Sequence, residues 1–367
     1  MIIFAINSKT PVMEKRNNHL VIMAGGGGSR FWPMSTEEQP KQFIDILGNG
    51  RTLLQATWDR FNDICDPKNV WVLTNKRYFD VVREQLPDIP AENILQEPVR
   101  RNTAPCIAYA SWRIKSIDPH ANMIITPSDH IVTDVAEFQR VIKSCTQFAG
   151  ETDAMITLGM KPDHPETGYG YIQADLSSSS LRNKEIFRVD KFREKPDFET
   201  AKEFIAQKNF FWNAGIFIWN VSTIVNAFRV YVPSMAKIFE SLMSVYGTDR
   251  EQELIDKHYE ECESISIDYS IMEKSEEMFV FPAEFGWSDL GTWSSLLAHT
   301  RHDLYGNGLI GDNIHLFETN NCIVHTKQNR KVVIQGLDNC IVAEKDGVLL
   351  ICKLNEEQRI KQFSGES

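Results

Sequence analysis

The 367-residue chain is 42% hydrophobic and 24% charged, the make-up of an ordinary globular protein of about two domains. Its net charge of −11 at pH 7 argues against coating nucleic acid or an anionic membrane, so any phosphate binding must come from a local basic cluster. Seven cysteines, an odd number with no C-x-x-C pair, exclude a disulfide framework and a thiolate zinc site, and they fit a reducing cytoplasm.

The opening MIIFAI is too short for a signal sequence, no later stretch has the length to span a bilayer, and residues 1–18 read as an extension without an assignable role. Leu20–Ala24 reads as a buried strand running into four glycines, Gly25, Gly26, Gly27 and Gly28, then Ser29, Arg30 and, further on, Pro40 and Lys41. Residues without Cβ atoms let backbone N–H groups approach a phosphate, and Arg30 and Lys41 add charge there. The loop is neither of the common glycine signatures. No glycine precedes Lys and Ser/Thr at P-loop spacing, and the third glycine of a dinucleotide fingerprint would fall on Arg30 or Phe31. A flexible turn is the plainer alternative.

Thr52 can cap a helix with Leu53, Leu54, Trp58 and Phe61 on one face. Val70–Leu73, a helix over Tyr78–Gln85 and Ile94–Gln96 then alternate in the manner of a parallel, doubly wound sheet. In QEPVRRNTAP, Asn102 or Thr103 is a good N-cap; the helix N-terminus beside Arg100 and Arg101 would also face the strand ends where α/β sheets bind ligands, with Gln96 and Glu97 able to hydrogen-bond a base edge. The strand Asn122–Thr126 ends in PSDH, where Asp129 is the first candidate to hold magnesium against phosphates, a turn being the alternative; His130 reads as structural.

A helix over about Ala136–Ala149 and a strand over Ala154–Gly159 follow. Gly168 and Gly170 allow a close backbone approach beside aromatic rings. Glu194 and Lys195 suit the hydroxyls and phosphate of a sugar phosphate, or form a surface charge pair. Asn213, in the apolar run FFWNAGIFIWN, needs a partner: a ligand hydroxyl, or a bulge near Gly215. Helical patterns cover residues 222–231 and about 250–260, and SIDYSIMEK from Ser266 reads as a capped helix. Asp289, in FGWSDLGTW, is the second metal candidate, while His299 and His302, three apart on the next helix, lack a third partner.

From Gly306 short β-type runs separated by Gly, Asn and Asp mark a smaller domain. The tetrapeptide Asn321–Val324 recurs as Asn339–Val342, an 18-residue offset equal to three hexapeptides, which predicts that Cys322 and Cys340 stack in neighbouring rungs of a β-helix; a chance match is the alternative.

Together AGGGGSRFWP with PKQF, RNTAP, PSDH, GYGYI, FREKP, WNAGIF and WSDLGTW resemble, in order, the sugar-1-phosphate nucleotidyltransferases, specifically their mannose-1-phosphate guanylyltransferase branch. The resemblance covers about Leu20–Trp293. It implies a Rossmann-like doubly wound mixed sheet with a small C-terminal β domain, a short left-handed β-helix, and a division into 1–18, 19–300 and 301–367. It implies that Gly25–Gly28, Ser29 and Arg30 bind the phosphates of GTP and that Lys41 stabilises charge on the reacting and leaving phosphates. Gln96, Glu97, Asn102 and Thr103 would read the base, and Asp129 and Asp289 would hold Mg²⁺. Gly170, Glu194 and Asn213 would contact mannose and Lys195 its phosphate. The departure at Ser29, often Thr in the family, keeps a hydroxyl. The implied reaction is GMP transfer from GTP to mannose 1-phosphate, without a covalent intermediate; exposed coil ends of the small β domain suit a homodimer, and charge and cysteine usage point to a cytoplasmic protein with no nucleic-acid or membrane partner. The chain ends too soon to carry the isomerase domain of bifunctional relatives, so no isomerase activity is expected. The rivals are the same chemistry on another nucleotide or sugar, and a non-catalytic regulatory subunit, which should have lost Arg30, Lys41, Asp129, Lys195 or Asp289.

Overall fold

The apolar run before the glycines forms β1 (Asn18–Met23), with Leu20, Val21 and Ile22 fully buried. In the computed structural model, residues 17–365 are described, apart from 28, 181, 328 and the side chain of 29. The extension expected over residues 1–18 therefore lies almost wholly outside the described residues.

β1 pairs in parallel with β2 (Val70–Asn75) on one side, which pairs in parallel with β3 (Ile94–Glu97), and with β4 (Asn122–Pro127) on the other. Neighbours lie on both sides of β1, so a crevice opens beyond Met23 and its register partner Pro127, at the carboxyl ends of both strands. Next come the short β5 (Ile131–Val132), then β6 (Met155–Met160), β7 (Tyr171–Asp175), β8 (Phe187–Arg193), β9 (Phe210–Asn220) and β10 (Met278–Ala283). The nine-stranded order is β3-β2-β1-β4-β9-β6-β10-β8-β7. The sheet is mixed rather than wholly parallel, because β9 runs antiparallel to both β4 and β6.

Helices α1 (Leu53–Asp59), α2 (Phe79–Gln85), α3 (Thr103–Lys115), α4 (Val135–Glu151), α5 (Phe198–Ala206), α6 (Val221–Tyr231), α7 (Pro233–Ser241) and α8 (Glu251–His258) connect the strands. Alternation along β1 sends Val21 into the core under α3 and α6, and Leu20 and Ile22 into the core under α1 and α4, so both sheet faces are covered. Thr52 caps α1 as expected, and Asp197 caps α5 through the Thr200 N–H. Two elements differ from the sequence reading. Pro233, allowed in a first turn, starts α7, which periodicity did not reveal. The segment after Ser266 is a single π-helical turn, Asp268–Met272, whose wider winding buries Ser270, Ile271 and Met272.

A two-stranded ribbon carries most functional weight. β11 (Trp287–Ser288) pairs antiparallel with β5, Ser288 opposite Ile131, and so brings the loop of Asp289 to the loop of Asp129. α9 (Trp293–His299) follows, and His302 lies beyond its end.

In the C-terminal part β12 (Gly308–Ile310), β14 (Ile323–His325) and β16 (Cys340–Lys345) pair in parallel, as do β13 (Ile314–Phe317) and β15 (Val332–Gln335). Ile314 faces Val332 and Ile323 faces Ile341, both 18 residues apart, so the offset seen in one tetrapeptide extends over a whole turn of chain. Positive φ angles recur at the same offset, at Asn321 (52°) and Asn339 (51°). Cys322, just before β14, and Cys340, opening β16, lie in one buried cluster, and each thiol donates to the carbonyl two residues before it. β17 (Val348–Lys353) returns antiparallel to β16 and ends the parallel run, and α10 (Ile360–Ser364) closes the described chain. One cluster joins Phe31 and Met34 of the glycine-loop segment to Trp293 of α9 and to Ile310, Ile323, Ile341 and Ile360.

Candidate active site

Three adjoining cavities follow the carboxyl ends of β1 and β4. The first, of about 340 Å³, is lined by Gly25, Gly26, Gln42, Glu97, Asn102, Thr103 and Asp129 among others. The glycine loop is held open from below: the Gln42 amide donates to the carbonyls of Ala24 (3.1 Å) and Gly26 (2.9 Å), which leaves the loop's N–H groups free of that role. A Cβ on Gly27 would come within 3.0 Å of the Arg100 guanidinium. Glu97 accepts a buried hydrogen bond from the Tyr259 hydroxyl; burial pushes its carboxyl up to about 7 despite that bond. Asn102 takes a positive φ of 66° to start α3, and Thr103 accepts from the Ile267 N–H at 2.9 Å, tying this cavity to the π-turn.

The second cavity, of about 290 Å³, is lined by Arg30, Lys41, Asp129, His130, Asp289 and Lys361 with neighbouring backbone. Lys41 is buried and its ammonium donates to the carbonyls of Asp289 and Leu290, both at 2.9 Å, while pairing with Asp129 at 2.9 Å. It thus locks the two aspartate loops together. Burial works to raise the Asp129 carboxyl, but Lys41 and His130 outweigh it and hold it below the ordinary carboxylate range. Asp289 accepts from the Tyr169 hydroxyl (2.7 Å) and the Gly291 N–H (3.0 Å) through one oxygen. His130 accepts from Trp287 Nε1 at 3.1 Å, and burial lowers its pKa.

The third cavity, of about 250 Å³, contains Tyr169, Gly170, Glu194, Lys195, Asn213 and Asp268, and shares His130 and Asp289 with the second. A Cβ on Gly170 would lie 2.5 Å from Glu194 Oε2, so the carboxylate occupies the space that only glycine leaves. Lys195 pairs with Glu194 at 3.0 Å and sits at a positive φ of 43°. Asn213 accepts from Thr157 Oγ1 (2.8 Å) and the Gly215 N–H (3.1 Å) and donates to Asp268 (3.0 Å). Burial, with Glu194 close by, raises the Asp268 carboxyl to about 7.

The sequence model of the nucleotidyl transferase family matches residues 19–305. The chain belongs to the nucleotidyl transferase family. A mannose-1-phosphate guanylyltransferase of Escherichia coli is 36% identical over 348 residues, which are 94% of this chain and 74% of that protein. The xanthan biosynthesis protein XanB of Xanthomonas campestris is 34% identical over 93% of this chain and 71% of its own length. A crystal structure from Thermus thermophilus, described as a mannose-1-phosphate geranyltransferase, superposes with a TM-score of 0.83 at 28% identity, covering 95% of this chain and 99% of that one.

Within this nucleotidyl transferase most site residues expected from sequence meet. Gly25, Glu97, Asn102, Thr103, Asp129, Arg30, Lys41, Asp289, Gly170, Glu194, Lys195 and Asn213 all line the three linked cavities. Gln96 does not: it precedes Glu97 on β3, so the pleat turns the two side chains to opposite faces, and its carbonyl accepts from Gln252. Gly28 and the Ser29 side chain lie outside the described residues. The bulge anticipated near Asn213 is present, since the β6–β9 register shifts between Thr157 and Gly159 and Gly215 has a φ of 67°. Sequence reading missed Gln42, Tyr259, Asp268 and Lys361. Gln42 and Asp268 sit inside the quoted PKQF and SIDYSIMEK, whereas Tyr259 and Lys361 reach the site only through the fold.

Proposed function

We propose that the chain transfers GMP from GTP to α-D-mannose 1-phosphate, forming GDP-mannose and releasing pyrophosphate. The observation that carries this reading is that a glycine-loop cavity and a Glu194–Lys195 cavity adjoin at one pair of aspartates, Asp129 and Asp289. The similarity to mannose-1-phosphate guanylyltransferases supports the choice of guanine and mannose.

In this reading the Glu97 carboxylate accepts hydrogen bonds from the donors of the guanine edge, and the Gly25–Gly27 N–H groups with Arg30 bind the triphosphate. Lys195 holds the sugar phosphate, with Glu194 and Asn213 at the sugar hydroxyls. An oxygen of mannose 1-phosphate attacks the α-phosphorus in line, a new P–O bond forms, and the bond to the β-phosphate oxygen breaks with its electron pair leaving on pyrophosphate. The nucleophile is already anionic, so alignment and charge neutralisation suffice without a general base or a covalent intermediate. Two carboxylates on one cavity wall, with no described cluster of three metal-ligating side chains, suit a hard divalent cation shared with substrate phosphates, which we take to be Mg²⁺. When bound it would neutralise phosphate charge. Lys41 keeps the Asp129 and Asp289 loops in register for it.

We also read residues 301–367 as a small C-terminal β domain, its parallel strands as a short left-handed β-helix, and the protein as a homodimer; the 18-residue register supports the β-helix. Among the described residues no helix is long and apolar enough to cross a membrane. Pyrophosphate release across a panel of nucleotides and sugar 1-phosphates tests the reaction. GTP with mannose 1-phosphate should give the highest turnover; preference for another pair would reassign the substrates, and no release with any pair would overturn the enzyme reading.

A further inference from the structure

We infer that Lys361, carried on the C-terminal helix α10, is a ligand of the leaving pyrophosphate, so that the last described element of the chain completes the catalytic site. The inference rests on the nucleotidyl transfer proposed above, but on its leaving group alone, which is the same for every nucleoside triphosphate.

The second cavity has few positive charges to spare for a phosphate. Three basic side chains line it, Arg30, Lys41 and Lys361. An ammonium has three donors, and those of Lys41 are directed to Asp289 O, Leu290 O and Asp129 Oδ2. Lys41 can reach phosphate only by giving up part of the lattice that holds the aspartates. Arg30 and Lys361 make no ion pair among the described residues, and both also line the adjoining cavity of about 230 Å³ with Gly291 and Glu357. They therefore face the same space.

Lys361 owes its position to the anchoring of its neighbours. Ile360 is buried in the cluster that contains Phe31 and Trp293, the residues that follow Arg30 and open α9. Glu357 accepts from both the N–H and the hydroxyl of Ser294, each at 2.9 Å, at the start of α9. These two attachments hold the segment over the Asp289–Trp293 turn, and the next side chain after Ile360 reaches the cavity. A flexible lysine on an anchored backbone suits a group that must bind pyrophosphate during transfer and then release it.

Lys361→Ala, Lys361→Arg and the unaltered protein are compared in the pyrophosphorolysis direction. Lys361→Ala should raise the KM for pyrophosphate about tenfold and leave the KM for GDP-mannose unchanged, because the nucleotide sugar lacks the groups Lys361 would hold. Lys361→Arg should restore most of the loss, and the Tm of both variants should match that of the unaltered protein. An unchanged KM for pyrophosphate in Lys361→Ala overturns the inference, as does an equal rise in both constants. If GDP-mannose is not a substrate, the proposed substrates fail rather than this inference. Calorimetric titration with magnesium pyrophosphate then decides it: tight binding weakened in Lys361→Ala upholds it, and binding that is absent or unaffected overturns it.

Discussion

At the scale of single residues, the site depends on side chains whose chemistry is set by what surrounds them. In the proposed reading Glu97 meets both donors of the guanine edge as a carboxylate, because protonation turns one of its oxygens into a donor, and its carboxyl is raised to about 7. The KM for GTP should therefore climb as pH falls through that value, by up to ~10-fold per unit, and Glu97→Gln should flatten the profile. The raised value also has a sign for stability: ionisation works against folding, so stability falls as pH rises from 4.5 through about 7, and chemical denaturation of Glu97→Gln should lack that part of the slope. Gly170→Ala inserts a methyl against Glu194 at 2.5 Å, and the KM for the sugar phosphate should rise about tenfold, or ~1.4 kcal/mol, with that for GTP little changed. Lys41→Ala should lose on the order of 100-fold in kcat and also lower the Tm, because two carbonyls and Asp129 lose their donor. Full turnover in that variant would refute its role. Asp129, Asp289, Glu194 and Lys195 were legible as residue types at turns. That Lys41 links both aspartate loops was not, because its carbonyl partners lie about 250 positions along the chain.

At the scale of elements, local signals worked where the physics is local. The Thr52 cap involves groups three residues apart and forms as read, and the Asp197 cap of α5 is of the same local kind. The β5–β11 ribbon pairs segments with two residues each, too short for periodicity to register, and it is the element that joins the aspartates. The C-terminal turns depend on Asn321 and Asn339 at φ near 50°. Asn339→Val should cost about 1–2 kcal/mol, read as a lower Tm with kcat retained, while Asn339→Gly should be tolerated. An unaffected Tm in the valine variant would mean that the left-handed turn carries no strain.

At the scale of the whole molecule, the β13–β15 sheet shows Phe317 (57%) and Val333 (58%) to solvent, and β17 shows Leu349 (58%) and Ile351 (54%). These exposed apolar side chains support the homodimer reading. Light scattering should give a dimer for the unaltered protein and a monomer for Phe317→Asp with Val333→Asp; a monomeric unaltered protein would end that reading. By itself the sequence determined the alternation of strands and helices, the glycine loop and the acidic turns, since hydrophobic period, capping and turn chemistry act over a few residues. It also determined the 18-residue offset, since stacked strands repeat the environment that selects Asn, Cys, Ile and Val. Only the tertiary structure decided that β9 reverses the sheet, that the buried Tyr259 hydroxyl reaches Glu97, that Asp268 enters the third cavity, and that the C-terminal segment shares a core with Phe31. Those outcomes follow from packing between residues far apart in the chain, where burial of apolar area chooses the partner and no local pattern records the choice.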